Sequence, residues 1–285
     1  MKSRGRFAPS PTGELHLGNL RTALAAWASA TSAGGEFLVR WEDLDRHNSS
    51  GLHAQAQLRD LASIGITTTE QPLVQSERFG LYHEVIDDLT RRGLTYECFC
   101  SRKDIREAAA APHGGALHYP GTCRTAEGRD RARRGSDRPA ALRLLGGGHE
   151  SFVDHLHGEV TGAVNDIVLR RNDGVPAYNL AVVVDDAAQG ITEVVRGDDL
   201  LDITASQVRL QKLMGHATPT YGHVPLVVGP DGERLAKRHG AVTLSDLAAT
   251  GVSSAQVRDV LWESLGQHGD SWDWNAVPRS TWTVG

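Results

Sequence analysis

The chemistry in this chain is concentrated where strands are expected to end. Arg4 to Ala8 reads as a short strand, and Pro9-Ser10-Pro-Thr-Gly-Glu-Leu-His16-Leu-Gly18-Asn19 follows as a Pro/Gly-punctuated loop. Leu20, Leu24 and Trp27 then recur at helical spacing. The loop therefore delivers His16 and Gly18 to a helix N-terminus, where free N–H groups and the positive end of the dipole favour phosphate. Gly18 leaves room for a nucleotide to approach the backbone, and the His16 ring can donate to a phosphate oxygen. Physics alone gives an anion site on a strand–loop–helix unit. A plain surface turn with a solvated histidine has the same His-x-Gly pattern.

Two further strand ends carry charge. Phe37-Leu-Val-Arg-Trp41 reads as a strand that runs into Glu42-Asp43-Leu-Asp45. Acids at the C-terminal end of a strand in an α/β unit sit where ligands bind, although solvated loop acids look the same. Ile191-Thr-Glu-Val-Val195 repeats the arrangement with a cation, Arg196, followed by Asp198 and Asp199. The planar fork of an arginine suits a carboxylate far better than a neutral amide. A salt bridge to Asp198 or Asp199 is the alternative. Farther on, Glu233-Arg-Leu-Ala-Lys237-Arg-His239 is a cationic loop able to close on a triphosphate and stabilise charge developing at its α-phosphate. Taken alone it reads as a solvated basic turn.

Cys98 and Cys100, with Cys123 returning on a Pro-Gly turn, suggest a tetrahedral metal site, zinc being the best fit. The chain has only three cysteines, so a fourth ligand is required, and ligand statistics put His118 first. Three reduced cysteines without metal remain the alternative. Arg124, Arg129, Arg131, Arg133, Arg134 and Arg138 form a dense run that could track RNA phosphates, but Glu127, Asp130 and Asp137 offset half of it.

The elements that must position these groups alternate as strand, helix, strand, helix, helix as far as Gly93, which favours a parallel sheet covered by helices. Leu58, Leu61 and Ile64 mark one helix, and Leu81, Tyr82, Val85, Ile86 and Leu89 the next. Tyr96 to Cys100 reads as a strand, and Ser101 with Asp104 has capping-box spacing. Asp166–Arg171, Asn172-Asp-Gly174 and Val175–Leu180 read as a hairpin, which puts Tyr178 on its return arm. A helix is expected from Thr204 to Leu213, a strand from His223 to Val228, a turn at Gly229–Gly232 and a helix through Val257, Leu261 and Leu265. Trp262, Trp272, Trp274 and Trp282 are expected to pack. The chain has 285 residues and a net charge of −5, so nucleic-acid binding would need a local basic patch. An odd cysteine count, no apolar leader and no membrane-length apolar run point to a reducing, cytoplasmic setting.

Pro9-Ser-Pro-Thr-Gly-x-x-His16-Leu-Gly18-Asn19 resembles the "HIGH" signature of class I aminoacyl-tRNA synthetases, and its flanks, Arg6 to Gly13, resemble the glutamyl branch. Asn19 stands where the generic motif ends in histidine. The Lys237 loop resembles a degenerate "KMSKS" signature, with Arg234 in place of the first lysine. The resemblance implies an α/β fold: a Rossmann-like catalytic domain in two halves (1–93 and 176–232), a zinc-bearing insertion (94–175), and the signature loop with a short helical region (233–285). It implies that His16, Gly18, Asn19 and Lys237 bind ATP, with His16, Gly18 and Lys237 catalytic. Arg6, Phe7, Ala8, Pro9, Ser10, Glu42, Tyr178 and Arg196 would bind glutamate, Glu42 through the α-ammonium and Arg196 with Arg6 through the side-chain carboxylate. Within this family the pattern C-x-C…Y-x-x-x-C implies Cys98, Cys100, Tyr119 and Cys123 as the metal set.

The chain stops soon after the Lys237 loop, which is read as the lack of an anticodon-binding domain. In that respect it most resembles the glutamyl-queuosine tRNA(Asp) synthetase family. The resemblance implies activation of L-glutamate with ATP-Mg²⁺ without tRNA, then transfer to queuosine in the anticodon loop of tRNA(Asp). A monomer with one structural zinc and no membrane partner is expected. The competing readings are a truncated paralogue that charges a tRNA 3′ end and a non-catalytic, synthetase-derived RNA-binding or regulatory protein.

Overall fold

The computed structural model describes residues 2–32, 34–101, 103–105, 119–229, 242–269 and 271–283. The expected first strand is β1 (Arg4–Phe7), followed by α1 (Leu17–Ser32) and β2 (Glu36–Trp41). Then come α2 (Gly51–Ser63), β3 (Leu73–Val74) and α3 (Phe79–Arg91). β1, β2 and β3 pair in parallel in that order. Gly5 explains how closely α1 lies on this sheet: a Cβ there would come within 2.7 Å of Ala30 Cβ. The small residues Ala23, Ala25, Ala26 and Ala30 form the buried face of α1, so helix and strand approach as backbones.

The middle of the chain builds β4 (Thr95–Cys98), α4 (Ala126–Arg134), β5 (Ala141–Leu144), β6 (His149–Asp154), β7 (Gly158–Ala163) and β8 (Val168–Arg170). β4, β5 and β8 form a separate antiparallel sheet. β6 leaves that unit and pairs in parallel with β10 (Thr220–Val224), on the far side of which lies β9 (Glu193–Gly197). β7 closes the edge antiparallel to β6. β9 lies beside β1, where the Thr192 N–H donates to the Arg4 carbonyl at 3.0 Å and the Arg4 N–H to Thr192 Oγ1 at 2.8 Å. The strand ends of β1, β2 and β9 thus face one region.

The hairpin expected over 166–180 is shorter than its pattern suggested. It closes through Arg170–Pro176 and the Ala177 N–H to the Leu169 carbonyl, and α5 (Tyr178–Ala188) then begins at Tyr178 itself. Every residue of α5 from Leu180 to Asp186 is buried, so the Val182–Val184 run has no polar face from which a helical period could be read. The strand expected over 223–228 breaks at Pro225, which lacks an N–H, into β10 and the short β11 (Val227–Val228).

The remaining elements are α6 (Leu201–Leu213), α7 (Leu244–Ala249), α8 (Ser254–Ser264) and β12 (Trp282–Thr283), which pairs with β11. Leu20, Leu24, Phe37, Val39 and Leu261 centre the main core, with Trp262, Trp272, Trp274 and Trp282 packed against it. Among the described residues no helix is long and apolar enough to cross a membrane.

Candidate active site

The loop after β1 is held by side chains of its own sequence. His16 Nδ1 accepts from the Asn19 N–H, and Asn19 Oδ1 accepts from the His16 N–H, both at 3.3 Å. This reciprocal pair works as a capping box for α1. An Nδ1 that accepts leaves the proton of the neutral ring on Nε2. The void at Gly18 is already filled, because a Cβ there would meet His16 Cε1 at 3.0 Å and Nδ1 at 3.1 Å. Gly18 therefore makes room for the imidazole, a nearer cause than the nucleotide approach expected from sequence. Gln57, on α2, ties the loop down by donating to the Gly13 carbonyl at 2.7 Å and the Ser10 carbonyl at 3.2 Å.

This loop walls a cleft of about 800 Å³, and Phe7, Ala8, Pro9, Ser10, His16, Gly18, Asn19, Glu42 and Tyr178 all line it. Lys237, Arg234 and the rest of the second signature lie outside the described residues, as does the turn expected over 230–232. Of the described flanks of that segment, Leu226 and Val227 line the cleft, and the Val242 carbonyl accepts from the Leu17 N–H at 3.1 Å, one residue past His16. A second cavity of about 450 Å³ shares Tyr178, Asp199 and Leu200 with the first and reaches Tyr119 and Arg143.

Beneath the cleft lies a dense cluster of buried charge. Arg40 donates to Asp186 at 2.8 Å and stands 3.6 Å from Glu42 and 3.9 Å from Asp185. Asp185 also accepts from Tyr82, Gln75 and Arg78. Arg6 does not line the cleft; its Nε donates to Asp186 at 3.1 Å. Burial opposes ionisation of Asp186, but Arg6 and Arg40 outweigh it and hold that carboxyl below its usual range. Glu42 is different. Burial pushes its carboxyl up to about 7 against the pull of Arg40 and Arg6, with Asp186 and Asp185 adding to the push. Its Oε1 is buried and accepts no hydrogen bond. An ammonium group placed there would meet a waiting acceptor.

Arg196, near the end of β9, is 6 % exposed and touches no carboxylate among the described residues, so the expected alternative pairing with Asp198 or Asp199 is not made. Its Nε donates to His223 Nε2 at 3.1 Å, Nη1 to Gln207 Oε1 at 2.8 Å, and Nη2 to Thr204 Oγ1 at 2.7 Å. Burial raises the Tyr178 hydroxyl, which also feels the charges of Arg196, Glu42, Arg6 and Asp186.

The three cysteine sulfurs lie within 4.8 Å of one another. The Tyr119 hydroxyl stands 3.4 Å from Cys98 Sγ and 3.6 Å from Cys100 Sγ, and accepts from the Cys123 N–H at 2.8 Å. Zn–S bonds of about 2.3 Å in a tetrahedron put sulfurs about 3.8 Å apart. Cys100 and Cys123 are 3.6 Å apart, so the donor set could hold a metal ion with little movement. Burial acts to raise the Cys98 thiol, but Tyr119 and the Arg143 guanidinium hold it below its usual value, while burial and the neighbouring sulfurs push Cys100 up to about 12. His113 and His118 lie outside the described residues. The arginine-rich run is α4, none of whose residues is buried, and Arg124 beside it is committed to Asp166.

Sequence reasoning missed the groups behind the site. Arg40 sits within a stretch read as a strand; Gln57, Asp154, Asp185, Asp186, Thr204, Gln207 and His223 were not singled out. Residues 2–263 match the family described as tRNA synthetases class I (E and Q), catalytic domain. A glutamyl-Q tRNA(Asp) synthetase of Nocardia farcinica is 55 % identical over 264 residues, covering 92 % of this chain and 84 % of that protein. Relatives of the same name in Symbiobacterium thermophilum (47 %, covering 89 % and 83 %) and Cutibacterium acnes (48 %, covering 92 % and 76 %) agree. The crystal structure of glutamate-tRNA synthetase from Elizabethkingia anophelis shares the fold at 24 % identity and a TM-score of 0.75, covering all of this chain and 68 % of that one. With that fold and those relatives, the chain belongs to the class I (E and Q) tRNA synthetase family and, within it, to the glutamyl-Q tRNA(Asp) synthetases.

Proposed function

We propose that the chain activates L-glutamate with ATP-Mg²⁺ to glutamyl-adenylate, without tRNA, and transfers the glutamyl group to queuosine in the anticodon loop of tRNA(Asp). One observation carries the choice of amino acid: Glu42 has a buried carboxylate oxygen that accepts no hydrogen bond and has Arg40 only at 3.6 Å, while Arg196 is a buried guanidinium whose hydrogen-bond partners among the described residues are all neutral. A buried charge left short of close partners is costly, so a ligand bringing an ammonium to Glu42 and a side-chain carboxylate to Arg196 relieves both sites together. Glutamine would satisfy Glu42 and leave Arg196 unmatched.

With glutamate held at those two ends, its α-carboxylate is free to attack the α-phosphate of ATP in line, and pyrophosphate leaves. His16 Nε2–H would donate to the phosphates, and Lys237 would stabilise the developing charge. Catalysis then comes from positioning and charge stabilisation, with no covalent protein intermediate. The second cavity, which shares Tyr178 with the first, would admit an acceptor hydroxyl toward the activated carboxyl. Cys98, Cys100, Cys123 and Tyr119 would hold zinc as a closed structural site that pins the β4–β5–β8 unit.

Glutamate-dependent ATP–pyrophosphate exchange without RNA tests the first half. Glutamate should support exchange, and glutamine or aspartate should do so at least a hundredfold less well, in line with the penalty for leaving a buried polar group unpaired. Labelled glutamate should then appear on queuosine-containing tRNA(Asp), even after removal of the 3′-terminal adenosine. Equal labelling of queuosine-free tRNA would overturn the acceptor assignment.

A further inference from the structure

Arg196 is oriented by a buried chain that begins in a different part of the molecule. Asp154, the last residue of β6, accepts from the Leu156 and His157 N–H groups through Oδ1, at 2.8 and 3.0 Å. Its Oδ2 accepts from the His223 N–H at 3.0 Å and from His223 Nδ1 at 2.7 Å. Both side chains are fully buried. A carboxylate only accepts, so the proton of the neutral imidazole lies on Nδ1 and Nε2 presents its lone pair. That lone pair meets Arg196 Nε at 3.1 Å. Tyr221 lies parallel to the imidazole at 5.8 Å between centroids, and Phe152 packs beside it at 6.2 Å.

We propose that His223, fixed by Asp154, is a positioning residue: its Nε2 sets the plane of the Arg196 guanidinium and so aims the donors left for a substrate side-chain carboxylate. The inference rests on the reading of Arg196 given above. Three of the five guanidinium N–H groups are committed, to His223, Gln207 and Thr204, and a fourth has only a 3.5 Å contact with the Leu200 carbonyl. Gln207 is itself oriented by donating to Asn179 at 3.0 Å.

The interposed imidazole has a physical purpose. An aspartate directly on Arg196 would offset the buried cation but compete with the substrate for it. Placing Asp154 one ring farther away keeps a compensating charge in reach at a weaker Coulombic coupling and leaves the fork available. A protonated His223 would lose the acceptor and set cation against cation. Burial and the charges of Arg196 and His157 oppose that protonation, Asp154 favours it, and the balance keeps His223 below the ordinary histidine value.

The test uses the full chain and pyrophosphate exchange. Nitrogen-15 NMR of histidine-labelled wild-type protein at pH 7.5, with His223 assigned by its loss in His223→Gln, should show Nδ1 protonated and Nε2 bare. Protonated Nε2 would overturn the proposal. His223→Phe should raise KM for glutamate about tenfold or more, the cost of losing a hydrogen bond to a charged group, while kcat and KM for ATP stay within about threefold. His223→Gln, whose carboxamide oxygen can stand near the Nε2 position, should recover most of that loss, and it decides the matter if the Phe variant does not fold. An unchanged KM for glutamate in His223→Phe, an equal loss in all parameters, or no recovery in His223→Gln would each overturn the role. Arg196→Gln separates the two levels: if it too leaves KM for glutamate unchanged, the reading of Arg196 fails; if it raises KM while His223→Phe does not, only the positioning role falls.

Discussion

Arg40 and Arg196 are both buried guanidiniums at strand ends, yet their surroundings are opposite. Arg40 is ringed by Asp186, Glu42 and Asp185, whereas Arg196 is held by an imidazole, an amide and a hydroxyl. The excess of anions holds the Arg40 proton more tightly still, even though burial opposes it. One cluster has its counter-ions built in and serves as a joint between β2 and α5. The other keeps its counter-ion at a distance and leaves the near position to a ligand. Arg6, paired once with Asp186, sits between the two. Partner chemistry thus separates a structural cation from a recognition cation where burial and residue type do not.

The comparison is broken most severely at Arg40. Arg40→Met removes the cation that two buried aspartates and Glu42 share, and losing one partner of a buried ionic group costs about 3–5 kcal/mol. We expect loss of cooperative folding, or a denaturant midpoint far below that of the wild type. A variant that unfolds like the wild type would show that Arg40 does not hold the joint. Arg196→Gln should do the reverse and disturb glutamate binding far more than stability.

These residues also show what could be read from the chain. β1, α1 and β2 were legible because a strand, a Pro/Gly loop and a helical period follow one another within forty residues, and Glu42 and Arg196 stood out as charges at strand ends. The helix beginning at Tyr178 was hidden because burial on all sides erases the period that betrays amphipathic helices. Asp154 and His223 were hidden for another reason. They lie 69 positions apart and meet only because β6 pairs in parallel with β10. A buried polar residue carries no mark in the sequence until its partner is known.

Glu42→Gln sharpens the comparison on the acidic side. Burial has raised this carboxyl from the usual range to about 7, so folding favours its protonated form. The sign follows: the group costs nothing below its unfolded value, and the penalty grows as pH rises from there and levels off above about 7. The neutral amide should therefore stabilise the substrate-free protein at pH 8 by up to about 3 kcal/mol, and by less than about 1 kcal/mol at pH 5. Glutamate activation should fall by roughly tenfold or more, because the amide no longer offers a charged acceptor to the ammonium. Denaturant melts at the two pH values, with exchange kinetics beside them, check both halves. A destabilised variant at pH 8 would place Glu42 with Arg40 as scaffold.

The smallest effect is the pH dependence of the wild type. An ammonium needs Glu42 ionised, and in the free protein the ionised fraction falls as pH drops below about 7. Binding the cation pulls the carboxyl back toward its ordinary range, so each bound glutamate releases a proton in this window. KM for glutamate should therefore be flat near pH 8 and climb below 7, approaching tenfold per unit, the limit for one titrating group. Arg196 cannot contribute to this slope, because a guanidinium stays charged throughout. Nor should the structural carboxylate Asp186, which Arg6 and Arg40 keep ionised against burial well below this range. The slope should vanish in Glu42→Gln and persist in His223→Gln, which assigns it to the acid rather than the imidazole. A wild-type KM for glutamate that does not change between pH 6 and 8 would mean that the Glu42 carboxyl is not the group that receives the ammonium.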